Sequence, residues 1–177
     1  MYKWCSVVDQ SEHYYQLALL GKDAFLRAAA PAALIRRRGG GDSTVREGAD
    51  LEADTLVANA DGALAGMVAA SGNVQVFPLA KKQGAPFADM ITVGRTPNND
   101  VVVDDVTVSR FHAFFREKAG RWIVCDSGSK NGTRLDGDKL EARKEQALSS
   151  GARVRIGDVN LVFYTARDLF DVLSGSR

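Results

Sequence analysis

Histidine and cysteine are nearly missing from this 177-residue chain: His13, His112, Cys5 and Cys125 are the whole set. They are scattered, and no metal-ligand spacing joins them. Two cysteines so far apart make no disulfide framework, and Cys125, set in an apolar run, is expected as a buried thiol. No apolar run approaches the about 20 residues that span a bilayer. Polar residues by position 9 leave no secretory apolar region after Lys3. The expectation is a cytoplasmic protein with no membrane partner. Excess charge is also lacking. Lys and Arg number 23 and Asp and Glu 22, a net +1, so no global field draws nucleic acid. Aromatic residues do not alternate with basic ones as a base-stacking platform requires. Signatures of catalysis are missing as well. Gly21-Lys22-Asp23 has neither the upstream glycine nor the hydroxyl of a P-loop. There is no G-x-S-x-G elbow, and Ser, His and Asp occur without an activating context. No enzyme activity, metal or cofactor is expected.

A hydrophobic fraction of 45% and a charged fraction of 25% describe an ordinary globular protein, with room for one domain and an appendage. Near the start, Tyr14, Ala18, Gly21 and Phe25 recur at helical steps beside Leu17 and Leu20. Asp23 is a candidate cap for a segment from Ala24 to Ala30, which Pro31 stops. Leu34 and Ile35 begin a strand whose end, Arg36-Arg37-Arg38, reads as solvated charge. From Gly39 to Gly72 the chain is rich in Ala, Gly, Asp and Glu, without one aromatic residue. Such composition buries little apolar surface, as in a linker or a loosely packed edge. Its Ala-rich piece from Leu64 to Ala70 also suits a helix.

Strand patterning starts at Val74, Val76 and Leu79 and resumes at Met90 to Val93. It continues at Val101 to Val103, Ala113 to Phe115, Trp122 to Val124, Gly151 to Ile156 and Val159 to Tyr164. Asn131-Gly132, Asp136-Gly137 and Gly157-Asp158 are the turns between them. Short strands at this rhythm argue for an all-β sandwich. Thr165-x-x-Asp168 is a capping box, and Ala166, Leu169, Phe170 and Leu173 form one apolar helix face before Gly175. That helix is expected to dock on the sandwich edge. The division expected is an N-terminal extension over 1–73, a sandwich over 74–164 and a C-terminal helix over 165–177.

The unusual chemistry lies in three loops: Gly94-Arg95, Ser109-Arg110-Phe111-His112, and Ser129-Lys130-Asn131-Gly132-Thr133. An arginine, hydroxyls and a carboxamide on neighbouring loops are groups that grip a phosphate and the backbone beside it. In order and spacing the three motifs resemble the forkhead-associated (FHA) domain, over about Val74 to Tyr164. The resemblance implies an eleven-stranded β-sandwich whose loops bind phosphothreonine peptides. It implies that Arg95 and Ser109 are the principal phosphate ligands and that Asn131 clamps the peptide backbone. Lys130 stands where the family often has a Ser or Thr on the phosphate, and would give a charge contact instead. Arg110 holds another family contact position. For both, a solvated side chain is an equal alternative. Gly94, His112, Gly132 and Thr133 would support the site: Gly94 by turning the chain towards Arg95, His112 by fixing its loop, Gly132 by a positive φ, and Thr133 by tying that turn to nearby backbone.

The function so implied is a non-catalytic module that binds a phosphothreonine protein made by an upstream Ser/Thr kinase. The alternative is a scaffold or self-association domain that binds an unphosphorylated surface. Thr44 and Thr55, beside acidic residues, are candidate internal ligands if phosphorylated.

Overall fold

A computed structural model describes residues 10–37, 74–85 and 87–174. Thr44, Thr55, the Leu64 to Ala70 segment, Cys5 and Gly175 lie outside the described residues. The chain runs α1 (Ser11–Leu19), α2 (Lys22–Ala28), β1 (Ala32–Arg37), β2 (Val74–Pro78), β3 (Ile91–Gly94) and β4 (Val101–Val102). Then come β5 (Ala113–Lys118), β6 (Arg121–Asp126), β7 (Thr133–Leu135), β8 (Asp138–Lys139), β9 (Glu145–Leu148), β10 (Arg153–Ile156), β11 (Val159–Thr165) and α3 (Ala166–Ser174).

Two sheets face each other. One has six strands in the order β2-β1-β11-β10-β7-β8, the other five in the order β4-β3-β5-β6-β9. Eleven strands among the described residues and the sandwich match the expectation. Alternation along each strand sends one set of side chains between the sheets. That core includes Leu34, Leu79, Val93, Phe115, Val124, Ile156 and Phe163, all fully buried.

The six-stranded sheet is covered on its outer face too. In β1, Ala32 and Leu34 enter the core between the sheets, while Ala33 and Ile35 meet a second apolar cluster. That cluster brings Tyr14, Leu17, Phe25, Leu169 and Val172 from the three helices onto Val74, Val76 and Tyr164. A strand buried on both faces reads as a continuous apolar run, which is what Ala32 to Ile35 is. Phe25 stacks edge-on against Tyr14 and Phe170, and Tyr14 Oη accepts the Ala30 N–H at 3.0 Å, closing the end of α2.

Several details differ from the expectations. The short segment expected from Ala24 starts two residues earlier, at Lys22, after a break at Leu20 and Gly21, where Gly21 has φ +95°. Gly21, not Asp23, sits at the N-cap of α2. The C-terminal helix does start with the Thr165–Asp168 pair, the Thr165 hydroxyl donating to Asp168 Oδ2 at 2.7 Å. It docks on the sheet's outer face with α1 and α2, however, and not on an edge, because its apolar stripe meets Ala33, Ile35 and Tyr164. The division expected between residues 73 and 74 falls inside the six-stranded sheet: β1 pairs with β2 on one side and β11 on the other.

The helix cluster should therefore unfold with the sandwich. Phe25→Ala is expected to remove about 3–5 kcal/mol in urea unfolding, the usual cost of deleting a buried Phe. A loss well under about 1 kcal/mol would show that the helices are not part of the cooperative unit.

Candidate functional site

The loops between β3 and β4, β4 and β5, and β6 and β7 meet at one end of the sandwich. Backbone bonds stitch them together. Arg95 N–H donates to the Ser109 carbonyl at 3.0 Å, Val103 N–H to Gly94 at 3.0 Å, and Ser127 N–H to His112 at 2.9 Å. Each bond joins residues far apart in sequence, so no loop sets its conformation alone.

His112 stands at the centre. It is 0% exposed, and both ring nitrogens are engaged. Nδ1 accepts the Ser109 N–H at 2.9 Å, and Nε2 lies 3.0 Å from the Gly132 carbonyl. The backbone N–H can only donate and the carbonyl can only accept, so the ring is neutral with its proton on Nε2. Burial lowers its pKa from 6.5, against smaller opposing effects of the Gly132 carbonyl and the Asp126 charge.

Asp126 organises the next loop. Its Oδ1 accepts the Gly128 and Ser129 N–H groups at 2.8 and 2.9 Å. Its Oδ2 accepts the Ser129 and Thr133 hydroxyls at 2.7 and 2.6 Å. Burial pushes this carboxyl up, but the hydrogen bonds from Thr133, Ser129 and Gly128 outweigh it and hold the pKa below 3.8. Ser129 Oγ then accepts the Gly132 N–H at 3.0 Å, and Gly132 takes φ +78°. Thr133 thus ties the turn to a carboxylate, not to backbone.

The first loop is held by Asn99 and Asp100. Asn99 Nδ2 reaches the Arg110 carbonyl at 2.6 Å and the Thr96 carbonyl at 2.9 Å. Asp100 accepts the Thr92 and Lys82 N–H groups and pairs with Lys81 Nζ at 2.8 Å. Burial pushes the Asp100 carboxyl up, and Lys81 with the Thr92 and Lys82 bonds brings it below 3.8. Gly94 does not act through a turn, for its φ is not positive. A Cβ there would stand 2.2 Å from the Arg110 carbonyl oxygen and 2.8 Å from Asn99 Nδ2. Glycine is required because the Arg110 backbone passes against it.

Over this frame lies an open groove of about 990 Å³. Four of the five ligand residues expected from the sequence line it: Arg95, Ser109, Arg110 and Lys130. Ser109 Oγ accepts the Lys130 N–H at 3.0 Å, which leaves its own hydrogen free to donate into the groove. Asn131 is outside the lining. Its Nδ2 donates to the Thr107 carbonyl at 2.7 Å, and the exposed side chain keeps a second N–H and its Oδ1. No carboxylate lines the groove, and Arg95, Arg110 and Lys130 make no ion pair among the described residues. Such a rim is suited to an anion with several acceptor oxygens.

Sequence reasoning missed Asn99, Asp126, Ser129 and Thr107. Thr107 Oγ1 donates to Asp105 at 2.7 Å and accepts the Asp158 N–H at 2.9 Å, anchoring the carbonyl that holds Asn131. Asp126-Ser127-Gly128 carried a turn signal that would have flagged the carboxylate. Nothing in a linear reading flags Thr107.

Residues 91–157 match the family model of the FHA domain. The chain carries an FHA domain. Over 72 residues it is 50% identical to an oxoglutarate dehydrogenase inhibitor of Corynebacterium diphtheriae, covering 41% of this chain and 48% of that protein. Over 74 residues it is 43% identical to the glycogen accumulation regulator GarA of Mycolicibacterium smegmatis, covering 42% and 45%. The chain thus spans about half the length of these curated relatives. Among solved structures, Mycobacterium tuberculosis EmbR in complex with a low affinity phosphopeptide is 28% identical, with a TM-score of 0.41, over 44% of this chain and 20% of that one. The matched FHA segment begins at β3 and takes in all three loops.

Two results should follow from this geometry. Nitrogen NMR is expected to find His112 neutral at pH 7, protonated on Nε2, with a native pKa below 6.5. The unfolded chain then takes up the proton first, so stability falls as the pH drops from 6.5 towards the native value. A native pKa above 6.5 would contradict the bonding described. Gly94→Ala is expected to cost about 1–3 kcal/mol and to shift the amide signals of residues 109–112, because the Arg110 backbone must move. Unchanged stability and spectra would refute the close approach.

Proposed function

We propose that this FHA domain is a non-catalytic binding module for phosphothreonine on a partner protein, acting in the cytoplasm downstream of a Ser/Thr kinase. The observation that carries the reading is the set of three cations, Arg95, Arg110 and Lys130, unpaired among the described residues, around one groove that also holds the Ser109 hydroxyl. A phosphate brings about −1.5 to −2 charges and three acceptor oxygens at pH 7. The Arg95 guanidinium offers a planar fork for two of those oxygens. Ser109 donates to a third, and Lys130 and Arg110 add charge. Asn131 clamps the peptide backbone with the groups that its bond to Thr107 leaves free.

The names of the relatives, an inhibitor and a regulator, support binding without catalysis. No helix among the described residues is long and apolar enough to cross a membrane. The partner read from the cationic groove is a phosphorylated protein, with neither nucleic acid nor membrane as partner.

Charge-assisted hydrogen bonds are worth about 1.5–3 kcal/mol each. Titration with matched Thr and phosphothreonine peptide libraries should give binding to the phosphorylated set alone. Arg95→Ala should weaken it by about 10- to 150-fold, and Ser109→Ala by a smaller factor. Equal binding of both sets by folded protein would overturn the reading and favour a scaffold.

A further inference from the structure

The described helices cover only part of the six-stranded sheet's outer face. Their apolar cluster lies on Ala33, Ile35, Val74, Val76, Val162 and Tyr164, all from β1, β2 and β11. No described residue of β10, β7 or β8 joins it. On β10, Val154 and Ile156 fill the core, so Arg153 and Arg155 point outward. Strand register then sets a row of charge. Arg155 stands directly opposite Arg134, and Arg134 directly opposite Lys139. All three are exposed, as is Arg153.

Such a row opposes folding, because like charges directly opposite each other destabilise a sheet. Protection of a free edge explains Lys139, since β8 is the last strand. It does not explain Arg134 or Arg155, whose strands are paired on both sides. Both guanidinium groups are held in place. Arg134 Nη1 donates to the Gly137 carbonyl at 3.1 Å, and Arg155 Nε to the Gly157 carbonyl at 2.9 Å. Each planar fork keeps further N–H donors beyond that bond. Arg155 also pairs with Asp158 at 2.5 Å, but both side chains are exposed, and such a pair is weak. Arg134, Lys139 and Arg153 form no ion pair among the described residues. None of the four cations lines the groove.

We propose that this cationic part of the sheet docks an acidic α-helix of a partner protein, laid across β10, β7 and β8. Spacing fits that occupant. Neighbouring strands lie about 4.8 Å apart, and side chains one turn apart on a helix about 5–6 Å. One stripe of carboxylates therefore meets Arg155, Arg134 and Lys139 in turn. The same sheet carries α1, α2 and α3 on its other strands, so a docked helix continues that layer. Rim chemistry favours a protein over a nucleic acid. Asp136 and Asp158 occupy the turns at opposite ends of these strands and would repel a uniformly anionic backbone. The three strands also carry no aromatic residue on which a base could stack. The inference is independent of what fills the groove.

The test titrates the whole chain, at low salt, with two alanine-rich peptides of about 20 residues, long enough to be helical alone. One carries its Glu residues on a single helix face. The other has the same composition with Glu spread around the helix. The striped peptide is expected to bind about threefold tighter or more and to shift the amide signals of residues 134, 139, 153 and 155. Added salt should weaken it. Arg134→Gln combined with Lys139→Gln should weaken it about fivefold or more and leave binding of phosphothreonine peptides unchanged. These substitutions remove a repulsion between exposed side chains, so folding should survive. Absence of binding, equal binding of both peptides, signals shifted only around Arg95, Arg110 and Lys130, or binding that the double variant keeps overturns the proposal. So does tighter binding of duplex DNA or of phosphatidylserine vesicles at the same four residues.

Discussion

A neutral imidazole, closed off from water, holds the loop end of the sandwich together. His112 accepts one N–H and donates to one carbonyl, from two different loops, while its own backbone bonds β3 and Ser127. Four connections through one residue leave little freedom to the segment between Ser109 and Gly132. A buried group that loses such a partner costs about 1–3 kcal/mol, so the ring has no cheap alternative position. The groove's shape follows from that constraint. Ser109 is placed by its N–H on His112, and its hydroxyl by the Lys130 N–H. The neighbouring turn is placed by Gly132.

Two buried carboxylates extend the same logic. Asp126 and Asp100 spend their charge on backbone N–H groups and hydroxyls inside the loops, with Lys81 as partner to Asp100. They stiffen the loops without offering a counter-charge to the groove. A chain with a net charge of only +1 thereby presents a strongly cationic rim. Local arrangement, not overall composition, makes the groove cationic. The sandwich beneath, clad on one sheet by the described helices, supplies the rigid base on which the loops are positioned.

Much of this was legible in the sequence. Strand periodicity and Asn-Gly, Asp-Gly and Gly-Asp turns gave the sandwich, and the Thr165–Asp168 spacing gave the last helix. The three loop motifs named four residues that do line the groove. What escaped reading shares one physical character. Asn99 reaching Arg110, Asp126 reaching Thr133 and Thr107 anchoring Asp158 are side-chain bonds between segments brought together only by the fold. Periodicity reports which face a residue takes, not which distant backbone group it meets. The docking of α3 on a face was hidden for a related reason. The continuous apolar run of Ala32 to Ile35 signals a strand covered on both faces, but not which segment covers it.

The central claim is that the groove is formed before its ligand arrives. The most direct test is to determine the structure of this chain free and with a bound phosphothreonine peptide. The account predicts that the Cα atoms of residues 94–100, 107–112 and 126–133 superimpose within about 1 Å, with only the Arg95, Arg110, Lys130 and Asn131 side chains repositioned. A rearrangement of these loops beyond about 2 Å, with the His112 bonds to Ser109 and Gly132 broken or remade, would contradict it.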